Sequence, residues 1–104
     1  MSHLKSDAGP ERRAEVHIDF ADVTSEREVH ELFFRSLAFP DYYGHNWDAF
    51  WDFLAHDGRF PHRLILSGTQ HLRTAVPRAY DQLQSCFAGC QHEHPEVAPT
   101  VTWR

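Results

Sequence analysis

The sequence predicts an α/β fold, a three-stranded parallel sheet packed against helices. Two observations carry that prediction. Short segments near 14–20, 63–66 and 100–103 have the pattern of strands. The chain between successive segments has the pattern of helices, and helical crossovers are what parallel strands require. The length of 104 residues suits one domain.

In chain order, residues 1–13 (MSHLKSDAGPERR) are polar and mixed in charge, and read as a flexible tail before a single domain over 14–104. From Ala14 to Phe20 apolar and polar residues alternate, as in a half-buried strand. Ser25 and Glu28 have capping-box spacing, and Val29, Leu32, Phe33 and Leu37 then recur at helical spacing, with Pro40 expected to end that helix. Asp41 to His45 reads as a loop, in which Gly44 supplies backbone angles other residues avoid. Asn46 is a good N-cap for a second helix running to about His56, stopped by Asp57-Gly58. Arg63 to Leu66 forms the second strand. Pro77 suits the first position of a later helix, along which Val76, Tyr80, Leu83 and Phe87 repeat, and Thr100 to Trp103 supplies the last strand.

Charge is concentrated rather than spread. Asp41, Asp48, Asp52 and Asp57 lie between Phe39 and Gly58 with no Lys or Arg among them, whereas the rest of the chain is nearly balanced within a net charge of −5. Such a surface repels nucleic acid and attracts basic partners. On a helical wheel, Trp47, Phe50, Phe53 and Leu54 fall on the side facing the sheet, and Asp48, Asp52 and Ala55 on the side facing water. Trp51 lands at the border, half buried beside the two carboxylates. Asp48 and Asp52 are four residues apart, which brings their β-carbons to roughly 5–6 Å and destabilises an isolated helix by a few tenths of a kcal/mol. Asp48 offsets part of this in the first turn, where the helix dipole favours an anion. Tyr42 and Tyr43 are close enough in sequence to flank the same patch, the alternative being that one of them roofs the core, and anions beside rigid aromatics are the material of binding hot spots.

Other functions fit less well. No apolar run approaches the roughly 20 residues of a membrane span, and the polar N-terminus lacks a secretory signal, so a cytoplasmic protein is expected. Cys86 and Cys90 share a helix face and read as reduced packing thiols. With His92 and His94 they offer four ligands, but not at a standard zinc spacing, and no metal or cofactor is expected. Two carboxylates can cleave a glycosidic bond, but such pairs sit in clefts rather than on one exposed helix. With no Gly-rich phosphate loop and no Ser/His/Asp arrangement, the protein is not expected to be an enzyme.

The run Phe39-Pro40-Asp41-Tyr42-Tyr43-Gly44-His45-Asn46-Trp47-Asp48-Ala49-Phe50-Trp51-Asp52-Phe53-Leu54 resembles, without a gap, the core motif of the barstar family. The resemblance implies a barstar-like fold and an intracellular inhibitor that forms a 1:1 complex with a secreted microbial ribonuclease or related basic toxin. It implies that Asp52 enters the enzyme's phosphate site, that Asp48 pairs with a nearby arginine, and that Tyr42 packs over the catalytic base, with Trp51 also in contact. The candidate partner-binding set is Tyr42, Tyr43, Gly44, Asn46, Asp48, Trp51 and Asp52. Two departures stand out. Phe87 to Gln91 offers no acid where the family prototype has a contacting glutamate late in its last helix, Glu93 being displaced, and His45 takes the place of an acidic loop residue. An immunity protein against a toxin that is not a ribonuclease, or a binder of another basic protein, is the alternative.

Overall fold

The computed structural model describes residues 12–104. Its strands are β1 (Glu15–Asp19), β2 (Arg63–Ser67) and β3 (Thr100–Trp103), in the order β1-β2-β3 and all parallel. Helix α1 (Glu26–Ser36) and the segment containing α2 (Trp47–Asp52) lie between β1 and β2, and α3 (Thr69–Ala75) and α4 (Pro77–Glu93) between β2 and β3. The expected α/β architecture, with a three-stranded parallel sheet packed against helices, is the one observed.

Alternation sorts the sheet's faces. Val16 and Ile18 of β1 and Leu64 and Leu66 of β2 are buried in one core with Val29 and Phe33 of α1, Phe50 of α2, and Leu83 and Phe87 of α4. Glu15, His17 and Asp19 point the other way and are exposed, with Arg63 reaching across from β2 to Glu15 at 3.0 Å. The centre of the core is aromatic. Phe33 meets Phe50 edge-on at 4.9 Å, and Phe50 meets Phe60 at 5.4 Å.

Helix ends follow local chemistry, not always the expected one. Ser25 Oγ accepts from the Glu28 amide at 3.2 Å, as a capping box requires, and the Glu28 carboxylate accepts chiefly from the amide and hydroxyl of Thr24, one residue before the cap. Helix α1 stops at Ser36, before Pro40 could interrupt it. Ala38 turns left-handed (φ 54°) and the Phe39 amide donates back to the Phe34 carbonyl, a Schellman ending built without glycine. Helix α3 has no counterpart in the sequence pattern. It starts from Gly68 at φ 69°, without a side-chain cap.

The predicted tail needs one revision. Residues 1–11 lie outside the described residues, but Arg12 and Arg13 are tied to the domain. The Arg12 guanidinium donates to the carbonyls of Pro61 and Val97, and that of Arg13 to the carbonyl of Ser36. The Arg13 carbonyl also accepts from the His62 amide, extending the β1–β2 pairing backward.

Candidate functional site

The acidic helix is held from below. Asn46 caps α2, its side-chain oxygen accepting from the Ala49 amide at 2.8 Å. Phe50 is fully buried among Phe33, Phe60 and Phe87, and Phe53 stacks on Phe39 at 4.7 Å. Burying each such ring contributes about 1.5–3 kcal/mol, enough to outweigh the repulsion between two carboxylates on the far side. The Trp47 indole donates to Glu26, which also receives Arg78 at 3.4 Å, so one carboxylate joins the starts of α1, α2 and α4.

After Asp52 the helix widens into a π turn, Phe53–Asp57, before Gly58 stops it in the left-handed region at φ 78°. This turn corrects the helical wheel. Ala55, expected to face water, is only 6% exposed. A wheel drawn at a constant angle assumes bonds four residues apart. In a π turn they span five, so residues beyond Asp52 rotate to other faces. Asp48 and Asp52 precede the turn and are exposed, as expected.

The two neighbouring tyrosines part company. Tyr42 is 80% exposed, the large aromatic most open to solvent, with its ring 6.2 Å from Phe53. Tyr43 is only 4% exposed. Its hydroxyl is hydrogen-bonded to His30 Nδ1 at 2.6 Å, and its ring packs on Phe39 at 4.8 Å. Tyr43 therefore lies beneath the patch rather than flanking it, and supports the loop that carries Tyr42. Burial pushes its phenol well above the ordinary range.

Gly44 is favoured for a reason other than the one expected. Its backbone is not left-handed; His45 takes that conformation at φ 53°. The constraint on Gly44 is space, since a β-carbon there would stand 2.8 Å from Asn46 Nδ2, the nitrogen that donates to the Gly44 carbonyl. Loop and N-cap are thus built against each other.

Trp51 is half buried, as expected at the border, and lies against α4. The indole packs over Gly89, where a β-carbon would stand at ordinary contact distances of 3.4 and 3.5 Å. Glu93, the last residue of α4, is exposed.

The charge count also needs correcting. Asp57 is neutralised by Arg59 at 2.9 Å, a base just outside the interval in which none was found. Asp41, Asp48 and Asp52 make no ion pair among the described residues. Cys86 and Cys90 are free and buried on the inner side of α4. Burial, helped by the nearby Asp48 carboxylate, pushes the Cys86 thiol up to about 11.

The seven candidate residues therefore divide. Tyr42, Asp48, Asp52 and the open edge of Trp51 present chemistry outward, while Tyr43, Gly44 and Asn46 hold the loop and helix that present it. Sequence reasoning passed over His30 and Glu26 beneath the loop, and Gly89 behind Trp51. Glycine opposite an aromatic helix face was the only signal available for the last. The chain matches, over residues 13–103, the family model described as Barstar (barnase inhibitor). A comparison with curated proteins finds no match.

Proposed function

Since the chain belongs to the barstar family, we propose that it inhibits a secreted microbial ribonuclease by covering a cationic active site with the surface formed by Tyr42, Asp48, Trp51 and Asp52. The observation that carries this reading is the pair Asp48 and Asp52. Both are exposed on one short, well-anchored helix, and neither has an ion-pair partner among the described residues. A protein that carries unneutralised like charges one turn apart loses stability unless something outside it uses them.

A ribonuclease site binds phosphate with Arg, Lys and His, so two projecting carboxylates are complementary to it. Complementarity of this kind raises association rates and makes them salt-sensitive. Tyr42 adds a rigid aromatic surface of low entropic cost. The support beneath limits the ordering cost of binding, because Tyr43, Asn46 and Phe50 are already fixed. No helix among the described residues is long and apolar enough to cross a membrane, and the cytoplasm, where an inhibitor would protect the cell making the nuclease, is the proposed location.

A second reading, immunity against a basic toxin that is not a ribonuclease, draws on one feature. The stretch of α4 from Phe87 to Gln91, over which Trp51 packs at Gly89, carries no acid where the family prototype has one, which changes the charge offered to a partner.

The test is inhibition of a panel of secreted microbial ribonucleases, barnase included, at low and moderate salt. Stoichiometric, salt-sensitive inhibition is expected. Asp52→Ala should weaken it by at least about thirtyfold, in line with the roughly 2–5 kcal/mol lost when one member of a buried charge pair is removed, with circular dichroism and melting unchanged. Undiminished inhibition by Asp52→Ala would sink the assignment. Failure against the whole panel would favour the second reading.

A further inference from the structure

Helix α2 carries both outward carboxylates, and its two ends are held by unlike means. Directly after Asp52, Phe53 stacks on Phe39 with ring centres 4.7 Å apart, and in the middle Phe50 is sunk in the core. At the other end the Asn46 cap reaches only the Ala49 amide, within the helix's own first turn. What ties that end to the body of the protein is Trp47. Its ring lies against His30 at 4.3 Å and Phe50 at 5.3 Å, and its indole N–H donates to the Glu26 carboxylate in the first turn of α1. Among the described residues, no other side-chain hydrogen bond or ion pair joins α2 to another helix.

Glu26 is itself held. The oxygen that accepts the indole also faces Arg78 Nε at 3.4 Å, from the first turn of α4. The Arg78 side chain is 72% exposed, so that pair contributes little energy, but it keeps Glu26 out of the free negative charge. Glu26 lines a groove with His30, Asn46 and Trp47 that shares no residue with the groove of Tyr42 and Asp52. The positive end of the α1 dipole favours an acid in this first turn. It does not explain why a donor 21 residues further along the chain reaches that acid.

We infer that Glu26 is a positioning residue for the binding surface, which through the Trp47 indole sets the direction in which Asp48 projects. This rests on the inhibitor reading above. With the middle of α2 pinned by Phe50 and the far end by Phe53, loss of the Glu26 bond frees the first turn to swing. Asp48, next to Trp47, moves with that turn, while Asp52 stays. Hydrogen bonds between charged groups depend on direction, so a misaimed Asp48 meets a cationic partner group with poorer geometry. Glu26 thus acts on binding without touching the partner.

The experiment is a set of double-mutant cycles with barnase, read as inhibition constants at fixed pH and salt. Glu26→Ala should weaken inhibition about fivefold in the natural chain and in Asp52→Ala, but less than about twofold in Asp48→Ala, because residues acting as a unit are not additive. Trp47→Phe, which keeps a ring against His30 and Phe50 but removes the donor, should give the same pattern and serves if Glu26→Ala folds poorly. Glu26→Gln, which keeps an acceptor and removes the charge, should restore most of the loss. A loss of equal size in all three backgrounds, or no loss in any, would overturn the proposal. So would Glu26→Gln as weak as Glu26→Ala, since charge alone would then matter. In the free protein, residual dipolar couplings of the α2 amides should show the helix tilted in Glu26→Ala, and an unchanged orientation would equally overturn it. No inhibition by any of these chains would count against the inhibitor reading for barnase, and the dipolar couplings would still decide whether Glu26 aims α2.

Discussion

The Tyr43 hydroxyl and His30 Nδ1 are joined by a 2.6 Å hydrogen bond, both residues are buried, and the bond ties α1 to the loop that carries Tyr42. His30 also lies against Trp47, with ring centres 4.3 Å apart. Burial brings its pKa down from 6.5 to about 4, with Glu26 opposing the shift and His45 adding to it.

A pH dependence of stability follows. The unfolded chain takes up a proton at His30 near pH 6.5 and the folded chain only near pH 4. The stabilisation from keeping this ring neutral is therefore complete above about pH 6.5 and is lost as the pH falls towards 4. At about 1.4 kcal/mol per unit, His30 should account for roughly 2–3 kcal/mol across that window. Urea unfolding at pH 7 and pH 4.5 should show this loss, and His30→Gln should flatten it. An equally steep loss in His30→Gln would assign acid sensitivity to other groups.

The Gly44–Asn46 arrangement predicts two unlike losses. Asn46→Ala removes the cap on α2 and should cost about 0.5–2 kcal/mol. Gly44→Ala keeps the cap residue but drives a β-carbon towards Asn46 Nδ2, so the side chain must turn and break its bond to the Gly44 carbonyl. In the double variant the second change should be nearly free, because the clash and the cap vanish together. Thermal melts of the three variants test this. Simple additivity would mean that the loop and the cap are independent.

Gly89→Ala sets helix propensity against packing. Alanine is favoured over glycine inside a helix by about 1 kcal/mol, and the new methyl would meet Trp51 at ordinary contact distances of 3.4 and 3.5 Å. The substitution should therefore raise stability by about 0.5–1 kcal/mol while altering the environment of the Trp51 ring. Chemical unfolding gives the first quantity, and indole NMR shifts the second. A destabilised protein would show that Trp51 cannot give way.

Periodicity was enough to find α1, α2, α4 and the three strands, because each buries a regular stripe or alternation. It failed where the determinant is a contact distant in sequence. Arg12 and Arg13 read as tail residues because nothing local shows that they reach Pro61, Val97 and Ser36. Tyr42 and Tyr43 are the same residue type in the same loop, and the partners that hold Tyr43 inward, His30 and Phe39 among them, are set by the tertiary fold rather than by local sequence. Ala55 was misplaced because a π turn leaves no composition signal. Asp48 and Asp52 were legible because exposure on one face of a short capped helix is a local property. Helix α3 has no side-chain cap to announce it.

The all-parallel sheet has a kinetic consequence. Its first pairing joins Glu15 to Arg63, residues 48 apart, and β3 adds to β2 only after a second long crossover. Among the described residues no hairpin is present to nucleate the sheet, and each pairing of these strands must first bear the entropy of closing a long loop. Helical turns such as the one capped by Asn46 form far sooner, but Phe50 and Phe53 have nothing to rest on until the strands meet. The orientation of Asp48 and Asp52 is therefore fixed at the end of folding, and a chain interrupted before that point would carry the right charges without holding them in place.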